Sequence, residues 1–369
     1  MVRCKRCVMP DTRPGAIFVG GVCQACRNYD TNQAVNWVGR KDELSRLCNF
    51  YRSGNSSRPH LYDCVIPVSG GKDSHFAVYT LRSMGMNPLL VSVVDLFSHT
   101  KAGEHNFRNL GVEFDCDLIT ITPSLSLQHS VTRQAFEESC EPLKFLETAI
   151  YLSPVRLAKD KNIPWVVFGE NASFLYGAAS KDFFDASSVI GTGDSALADK
   201  GRKKGWDYWQ SMGVKEAELN VINLDNRPNF IVMPMFLSYF VPWDDEANLQ
   251  VAKSHGFQTL GQEWVREGWI EDYTQIDSFG YLVHIWLKYP KFGFARASDI
   301  ASRWVRKGLI SRDEAMAIVM AKDHLLDGKA LEDFCTILGY SETQFWDIVD
   351  RFWNREIFER VNGKWRIKE

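Results

Sequence analysis

The sequence predicts an α/β protein with a doubly wound parallel sheet, preceded by a zinc-ribbon-like module and followed by a helical C-terminal domain. Three observations predict this architecture. Short, continuous apolar runs alternate with helical patterns between residues 61 and 236, which is typical of a parallel sheet whose two faces are covered by helices. Two Cys-x2-Cys pairs lie in the first 30 residues, where apolar periodicity is weak. After Trp243 the patterns are helical only.

The elements of the predicted sheet follow one another in regular order. Each predicted strand is a short apolar run bounded by Gly, Pro or polar residues. The predicted strands are Leu61–Val68, Pro88–Asp95, Cys116–Thr122, Pro164–Gly169 and Phe230–Phe236. The predicted helices between them are Ser74–Met84, Ala102–Leu110, Leu127–Glu138 and Pro142–Lys161. This alternation predicts a doubly wound fold.

The chain divides into three predicted domains. Residues 1–58 combine the cysteine module with a helix at Asp42–Tyr51 and a Ser-rich linker after it. Residues 59–242 form the α/β domain, and residues 243–369 form the helical domain. Within the α/β domain, residues 172–228 are rich in Gly, Ser, Asp and Lys, and we expect an insertion or a substrate lid there.

Composition excludes several classes of protein. A hydrophobic fraction of 45% and 12 Trp in 369 residues exclude a disordered chain. The longest apolar stretch, Leu89–Phe97, has about half the length that a membrane helix needs. The first residues contain no apolar signal region, so export is not expected. We therefore expect a soluble, cytoplasmic protein whose cysteines are reduced thiols or metal ligands.

The charge is close to neutral overall but unevenly distributed. The net charge of −3 gives no general attraction to nucleic acid or to anionic lipid. Residues 1–60 contain ten Lys and Arg and four acidic residues, a net charge of +6, which leaves −9 on the rest. The basic head is compatible with an RNA, a nucleotide-bearing substrate, an acidic partner or an ordinary solvated surface.

The four N-terminal cysteines predict a metal site. Cys4 and Cys7 form one pair, Cys23 and Cys26 form another, and fifteen residues separate the pairs. Two such knuckles fold back so that four thiolates surround one Zn²⁺ in a closed, structural site. An iron–sulfur cluster uses the same ligands and stays open as the alternative. The other five cysteines are expected to be small buried hydrophobes.

The sharpest motif is a glycine-rich loop, Val68-Ser69-Gly70-Gly71-Lys72-Asp73-Ser74, between a predicted strand and a predicted helix. Two glycines let the backbone approach an anion, and the helix N-terminus adds N–H donors and the positive end of its dipole. Ser69 and Ser74 supply hydroxyl donors, and Lys72 neutralises charge on a phosphate. Asp73 repels a phosphate unless a cation lies between them, so it predicts Mg²⁺ at this loop.

This loop departs from the GxxxxGK[ST] pattern of standard P-loops and resembles the PP-loop of ATP-dependent adenylating enzymes. The resemblance implies an adenine-nucleotide alpha-hydrolase-like fold in which Val68–Ser74 bind the pyrophosphate end of ATP. It implies cleavage of ATP between the α and β phosphates, with transfer of AMP to a substrate oxygen. Lys72 and Asp73 are then the predicted catalytic residues of the loop.

Further polar residues lie at the ends of later strands. Asp95 and Gly169 end predicted strands, and the carboxyl ends of parallel strands meet at one edge of a sheet. We therefore expect both residues at the nucleotide, with Asp95 against the nucleoside. Glu170 is predicted to be catalytic, either as a second Mg²⁺ ligand or facing the substrate. A solvated acid at a strand end is the alternative for Glu170.

Five motifs, taken in order, make the chain resemble the N-acetyl sugar amidotransferase family of bacterial surface-polysaccharide synthesis. They are the paired Cys-x2-Cys knuckles, VSGGKDS, GEN at Gly169–Asn171, YFVPWD at Tyr239–Asp244 and KFGFARASD at Lys291–Asp299. The resemblance implies an ATP-dependent, AMP-forming ligase that converts the acetamido group of a sugar nucleotide or nonulosonic acid into an acetamidino group. The product serves O-antigen or lipopolysaccharide biosynthesis. Ammonia comes from a separate glutaminase subunit accompanied by a cyclase-like subunit, without a nucleic-acid or membrane partner.

Candidate substrate-binding residues lie in the later motifs. Asn171, Lys291 and Arg296 are the predicted contacts to the sugar. Arg303 and Arg306 lie three positions apart on one helix face. They either bind a sugar carboxylate or diphosphate, or belong to an ordinary solvated face.

A PP-loop tRNA thiolase, which adenylates uridine or cytidine before 2-thiolation, is the alternative function. Such enzymes also combine a cysteine-ligated head with a PP-loop. Some of them carry sulfur on a further cysteine pair, and no such pair follows Cys26. The acidic body of the chain is also poorly suited to tRNA phosphates. A non-catalytic nucleotide-sensing scaffold stays open as well, whereas glutamine hydrolysis within this chain is not expected, since no N-terminal or elbow cysteine is present.

Overall fold

The N-terminal module consists of a short hairpin followed by two helices. In the computed structural model the described residues are 1–52, 61–170, 175–177, 206–224, 231–261 and 263–368. The hairpin strands and helices of the module are β1 (Phe18–Val19), β2 (Val22–Cys23), α1 (Gln24–Gln33) and α2 (Trp37–Tyr51). The predicted linker after α2, residues 53–59, lies outside the described residues. The module has few apolar core residues besides its four buried cysteines.

A five-stranded parallel sheet forms the centre of the molecule, as predicted. Its strands are β3 (Cys64–Pro67), β4 (Pro88–Val93), β5 (Leu118–Ile121), β6 (Trp165–Phe168) and β7 (Met233–Phe236). Their order is β5-β4-β3-β6-β7, and every neighbouring pair is parallel. The chain therefore moves outward from β3 in one direction and then returns to the other side of β3. A crevice for ligands opens at such a reversal, outside the carboxyl ends of the strands.

Helices cover both faces of the sheet. They are α3 (Lys72–Ser83), α4 (Lys101–Glu113), α5 (Leu125–Ser139), α6 (Lys144–Asp160) and the short α7 (Asp207–Ser211). Alternate strand residues face opposite sides, so Ile66 and Leu90 pack with α3 whereas Val65 and Leu89 pack with α6. Two separate cores result, which confirms the doubly wound prediction.

Part of the predicted insertion belongs to the core. Residues 206–224 contain α7 and a 3-10 helix at Glu218–Val221. Trp209 and Leu219 are fully buried against the α5–α6 face of the sheet. This part of the predicted insertion therefore packs on the sheet domain, where its apolar side chains complete one of the two cores. The rest of the predicted insertion lies outside the described residues, except for residues 175–177.

The C-terminal region is helical, as predicted, except at its end. Its helices are α8 (Asp245–Ser254), α9 (Phe279–Trp286), α10 (Lys288–Phe292), α11 (Arg296–Arg306), α12 (Arg312–Lys322), α13 (Gly328–Leu338) and α14 (Glu342–Asp350). Helix α8 packs against α3 of the sheet domain. Among the described residues, no helix is both long and apolar enough to cross a bilayer.

A hairpin ends the C-terminal region, where the sequence analysis predicted only helices. Strands β8 (Phe358–Val361) and β9 (Lys364–Ile367) pair antiparallel. The two turn residues, Asn362 and Gly363, both have positive φ angles of 51° and 79°. An Asn-Gly pair with this geometry matches the right-handed twist of two flanking strands, so the local turn sequence determines this hairpin.

The N-terminal module packs against the C-terminal helices. Val8 packs with Ala301 and Val319, and the Arg13 Nη1 atom lies 2.6 Å from Asp299 Oδ1. The other carboxylate oxygen of Asp299 accepts a hydrogen bond from Lys288 Nζ at 2.7 Å. Burial alone would raise the pKa of Asp299, but the charges of Lys288 and Arg13 hold it far below its usual range.

We predict that Asp299→Asn destabilises the protein by about 3–5 kcal/mol, because it leaves two largely buried cations without a countercharge. Urea unfolding followed by tryptophan fluorescence measures this change. The matched control is Asp30→Asn, which removes an exposed partner of Arg6 and should change the free energy of unfolding by less than about 1 kcal/mol. Equal effects of the two variants would contradict the prediction.

Candidate active site

The glycine-rich loop lies between β3 and α3 and has the geometry of an anion-binding turn. Gly70 has a φ of +90°, and a Cβ atom there would lie 3.0 Å from the backbone N and Cα of Phe107. Only glycine fits this position without strain. The Ser69 N–H donates to Ser74 Oγ at 3.0 Å, and the Gly71 N–H lies 3.4 Å from Ser69 Oγ. No side chain caps the N-terminus of α3, which leaves its N–H groups for a ligand.

A cavity of about 500 Å³ opens at the carboxyl edge of the sheet, where the strand order reverses. The predicted site residues that line it are Val68, Ser69, Gly70, Gly71, Lys72, Asp73, Ser74, Asp95, Gly169, Glu170 and Arg296. The fold therefore brings together residues that are separated by more than 200 positions in the sequence. Predicted residue Asn171 lies outside the described residues.

Lys291 does not reach the cavity. It lies near the end of α10, where its Nζ atom is 3.2 Å from Glu141 Oε1 and 3.4 Å from the carbonyl oxygen of Ser139. The structure therefore separates Lys291 from Arg296, although both belong to one sequence motif. The reason is the turn at Gly293, whose φ of 76° ends α10 and lets α11 leave in a new direction.

Lys72 is the centre of an ion network rather than an exposed cation. It is 2% exposed, and its Nζ atom lies 2.7 Å from Asp73 Oδ2 and 2.9 Å from Asp245 Oδ1. Burial alone would lower the pKa of Lys72, but the two carboxylates raise it above its ordinary value. Asp245 also accepts a hydrogen bond from Arg303. The lysine thus joins the glycine-rich loop to α8 and, through Asp245, to α11.

Three of the predicted site residues in the cavity lining carry carboxyl groups. Asp73 Oδ1 accepts a hydrogen bond from Asn248 Nδ2 at 2.8 Å, which fixes its orientation. Removal from solvent, together with the nearby charge of Asp73, raises the pKa of Glu170. Burial raises the pKa of Asp95 to about 6, and its Oδ1 atom accepts a hydrogen bond from the Phe97 N–H at 2.9 Å. Oxygen ligands of this kind are those that Mg²⁺ prefers.

Two arginines of α11 and the hydroxyl groups of Thr274 and Tyr176 also line the cavity. Arg296 donates to Thr274 Oγ1 at 2.7 Å and to the Tyr176 hydroxyl at 3.2 Å. Arg303 also donates to the Tyr176 hydroxyl. Arg306, in contrast, approaches Cys7 Sγ at 3.8 Å. Both Arg303 and Arg306 are largely buried, so the interpretation as a solvated face is wrong.

The four N-terminal cysteines converge as a metal-binding group would. Their sulfur atoms lie within 4.8 Å of one another, with Cys4 and Cys26 at 4.0 Å and Cys7 and Cys23 at 3.6 Å. Backbone N–H groups of Arg6 and Cys23 point at Cys4 Sγ at 3.4 and 3.3 Å. All four thiols are buried. The group is suited to one metal ion in a closed site.

Several site residues were not predicted from the sequence. Asp245, Asn248 and Tyr176 contact predicted residues, and His75 supports the loop from behind. Asp245 directly follows the YFVPWD motif, so the residues next to this motif could have been considered as site candidates. The partners of Asn248 and Tyr176 depend on contacts between distant elements, and no local pattern indicates them.

Fold and loop together define an α/β protein with a doubly wound parallel sheet and a glycine-rich, anion-binding turn after its first sheet strand. Residues 267–369 match the family model described as LPS biosynthesis protein WbpG-like, C-terminal domain. This match covers the helices that carry Arg296 and Arg303 as well as the final hairpin. It confirms the resemblance to a family of surface-polysaccharide synthesis for that part of the chain. No curated protein sequence matches the chain.

Several solved structures are similar to this chain at low identity. The NH3-dependent NAD synthetase from Campylobacter jejuni is 16% identical, with 51% of this chain and 92% of that chain covered and a TM-score of 0.29. The NMN synthetase from Francisella tularensis is 14% identical, with 49% and 74% covered and a TM-score of 0.27. The U34-tRNA thiolase NcsA from Methanococcus maripaludis is 11% identical, with 92% and 96% covered and a TM-score of 0.32. At these TM-scores the similarities support no conclusion about function.

Burial of His75 makes the stability of the protein depend on pH. The ring is fully buried, its Nδ1 atom lies 3.1 Å from the Gly71 carbonyl oxygen, and burial lowers its pKa to about 4. The unfolded chain takes up a proton near pH 6.5, whereas the folded chain does so only near pH 4. Stability is therefore lost as the pH falls between these values, by on the order of 3 kcal/mol.

We predict that His75→Gln removes most of this loss. Urea unfolding at pH 7 and at pH 4.5 measures the difference between the variant and the wild type. The control is His324→Gln, since His324 is exposed and its replacement should leave the pH dependence unchanged. A wild-type pH dependence that persists in His75→Gln would contradict a neutral, buried His75.

Proposed function

We propose that the protein is a cytoplasmic ATP-dependent amidotransferase that converts the acetamido group of a sugar into an acetamidino group, with AMP and pyrophosphate as by-products. One observation carries the proposal: a single cavity is lined both by the PP-loop and by Arg296 and Arg303. The loop suits the phosphates of ATP, and the two arginines suit an anionic sugar. The match of residues 267–369 to a lipopolysaccharide-biosynthesis family supports a sugar substrate.

The loop would bind the β and γ phosphates of ATP. The N–H groups of the turn and of the α3 N-terminus point to the cavity edge, and Ser69 and Ser74 add hydroxyl groups. Asp73 and Glu170 would hold Mg²⁺, whose positive charge would stabilise the negative charge of the departing pyrophosphate. Lys72 keeps the Asp73 carboxylate in place through its 2.7 Å ion pair. Asp95, at the end of β4, lies where a nucleoside would extend along the sheet edge.

The chemistry requires activation of a poor leaving group. The acetamido oxygen attacks the α phosphorus of ATP, the bond to pyrophosphate breaks, and an O-adenylyl imidate forms. Ammonia then adds to the imidate carbon, AMP leaves with the former amide oxygen, and a proton is lost to give the amidine. The protein contributes positioning and charge stabilisation in a cavity that is partly shielded from water.

Ammonia must come from outside this chain, and we propose a separate glutaminase subunit accompanied by a cyclase-like subunit. Burial raises the pKa of Cys48 to about 11 and that of Cys140 to about 12, and it raises the pKa of Cys64 well above its usual value. Cys116 and Cys335 also have raised pKa values of about 11. A thiol with such a pKa is a poor nucleophile at neutral pH. The same property disfavours the alternative of a tRNA thiolase that carries sulfur on an additional cysteine.

The test combines ATP, ammonium and a panel of acetamido sugars, analysed by mass spectrometry and by nucleotide chromatography. We expect a product in which NH replaces O, formed together with AMP. Asp73→Asn should abolish both products while the fold persists, and Asp313→Asn, an exposed matched control on α12, should have no effect. Release of ADP in place of AMP, or full turnover by Asp73→Asn, would overturn the proposal. A parallel reaction contains ATP, tRNA and sulfide in place of the sugars and ammonium. Thiolated tRNA in that reaction, with no modified sugar in the first, would establish the alternative function.

We further propose that the four-cysteine group holds one structural Zn²⁺. Tetrahedral Zn–S bonds of about 2.3 Å place sulfur atoms about 3.8 Å apart. The observed pairs at 4.0 and 3.6 Å fit this spacing. A four-iron cluster places each thiolate on a different iron atom and needs a wider arrangement of cysteines.

Cys23→Ser should release about one zinc ion per chain and destabilise the N-terminal module, because metal binding and folding of such modules are coupled. Elemental analysis of the purified full chain and thermal unfolding measure the two effects. The control is Cys48→Ser, since Cys48 is equally buried but distant in sequence from the knuckles. Iron with labile sulfide in the wild type, or full zinc occupancy in Cys23→Ser, would refute this assignment.

A further inference from the structure

Arg296 is a buried cation without a carboxylate partner among the residues that the structure describes. The residue is 8% exposed, and no described carboxylate oxygen lies within 4.0 Å of its guanidinium. Its hydrogen bonds go to two neutral hydroxyl groups, those of Thr274 and Tyr176. Its Nε atom is buried without any hydrogen-bond partner. A buried charge in this state is unfavourable unless an anion joins it.

Arg303 extends the same donor surface. One of its terminal nitrogens bonds Asp245 and the other bonds the Tyr176 hydroxyl, while its Nε atom is buried and unpartnered. The charge of Asp245 is already shared with Lys72. The carboxylates of Asp73 and Asp245 thus pair with Lys72 and Arg303, and neither of them pairs with Arg296.

The Tyr176 hydroxyl occupies the place between the two guanidinium groups. A single oxygen accepts from Arg296 and from Arg303, and the ring lies 4.2 Å from the guanidinium carbon of Arg13. Burial alone would raise the pKa of this phenol, but Arg303 and Arg296 lower it. A phenol offers one acceptor oxygen, whereas a carboxylate or phosphate offers two or three and also matches the planar donor geometry of arginine.

We propose that Arg296 and Arg303 form an anion subsite for a carboxylate or phosphate of the sugar substrate, which the Tyr176 hydroxyl fills until that group displaces it. The inference rests on the proposed function for the identity of the ligand as a sugar. The subsite and the PP-loop line the same cavity, so an anion bound at the two arginines would leave the acetamido group free to face the nucleotide. Selectivity for an anionic over a neutral acetamido sugar follows.

The test measures binding of three acetamido sugars to the full chain by isothermal titration calorimetry, without ATP. N-acetylneuraminate carries a carboxylate, N-acetylglucosamine 1-phosphate carries a phosphate, and N-acetylglucosamine is neutral. We expect at least one anionic sugar to bind about ten- to hundredfold more tightly than the neutral sugar. The anionic sugar that binds more tightly shows whether the subsite prefers a carboxylate or a phosphate. Arg296→Gln should abolish this preference and Arg296→Lys should restore part of it. The matched control Lys291→Gln, outside the cavity, should retain it.

A second variant tests the role of Tyr176. Tyr176→Phe removes the competing hydroxyl and should tighten binding of the anionic sugar by roughly two- to tenfold. Weaker binding of the anionic sugar to Tyr176→Phe would show that the hydroxyl contacts the bound sugar. That result would overturn the proposal that the anion displaces it. Equal binding of all three sugars, or an unchanged preference in folded Arg296→Gln, would overturn the subsite. Because these titrations contain no ATP, failure of the adenylation chemistry would leave their result unaffected, and the two proposals fail separately.

Discussion

The shared carboxylate of Asp245 is the interaction on which the arrangement of the cavity depends. It binds Lys72 of the glycine-rich loop and Arg303 of α11, and both cations are largely buried. Burial alone would raise the pKa of Asp245, but Arg303 and Lys72 hold it well below its usual range. A buried charge keeps its partners close, because separating them would leave an uncompensated ion in a medium of low polarity. The glycine-rich loop, α8 and α11 are therefore held together at one cavity.

Much of the sheet was predictable because its signals are local. Continuous apolar runs such as Pro88–Val93 coincide with strands buried on both faces, and the SGGKDS motif marks the turn after the first of them. The edge of the sheet at which Asp73, Asp95 and Glu170 meet follows from parallel pairing alone. Asp245 is different, because it meets Lys72 across 173 positions in the sequence. Such a contact depends on how α8 packs against α3, and no local pattern contains that information.

Two further placements depend on packing and on backbone turns that the sequence pattern does not show. Trp209 lies in a polar stretch, and only its packing against α6 shows that this stretch completes a core. Lys291 and Arg296 are five positions apart in one basic motif, yet the positive φ of Gly293 turns the chain between them. One side chain consequently pairs with Glu141 and the other reaches the cavity. Clustering of like charges in a sequence thus predicts little about a site until the backbone turns are known.

Helix α11 connects the cysteine group to the cavity. A metal bound by the cysteines would therefore influence the position of the arginines that line the cavity. Arg306 of this helix approaches Cys7, and Arg303, one turn earlier, binds Asp245. Asp299, one turn earlier again, binds Arg13 of the N-terminal module, whose guanidinium also stacks on Tyr176. The module is too small to hold its shape by apolar burial alone, so its fold depends on what the four thiolates bind. The structural metal proposed for this group would therefore help to determine where Arg13 lies and, through α11, where Arg303 lies beside the glycine-rich loop.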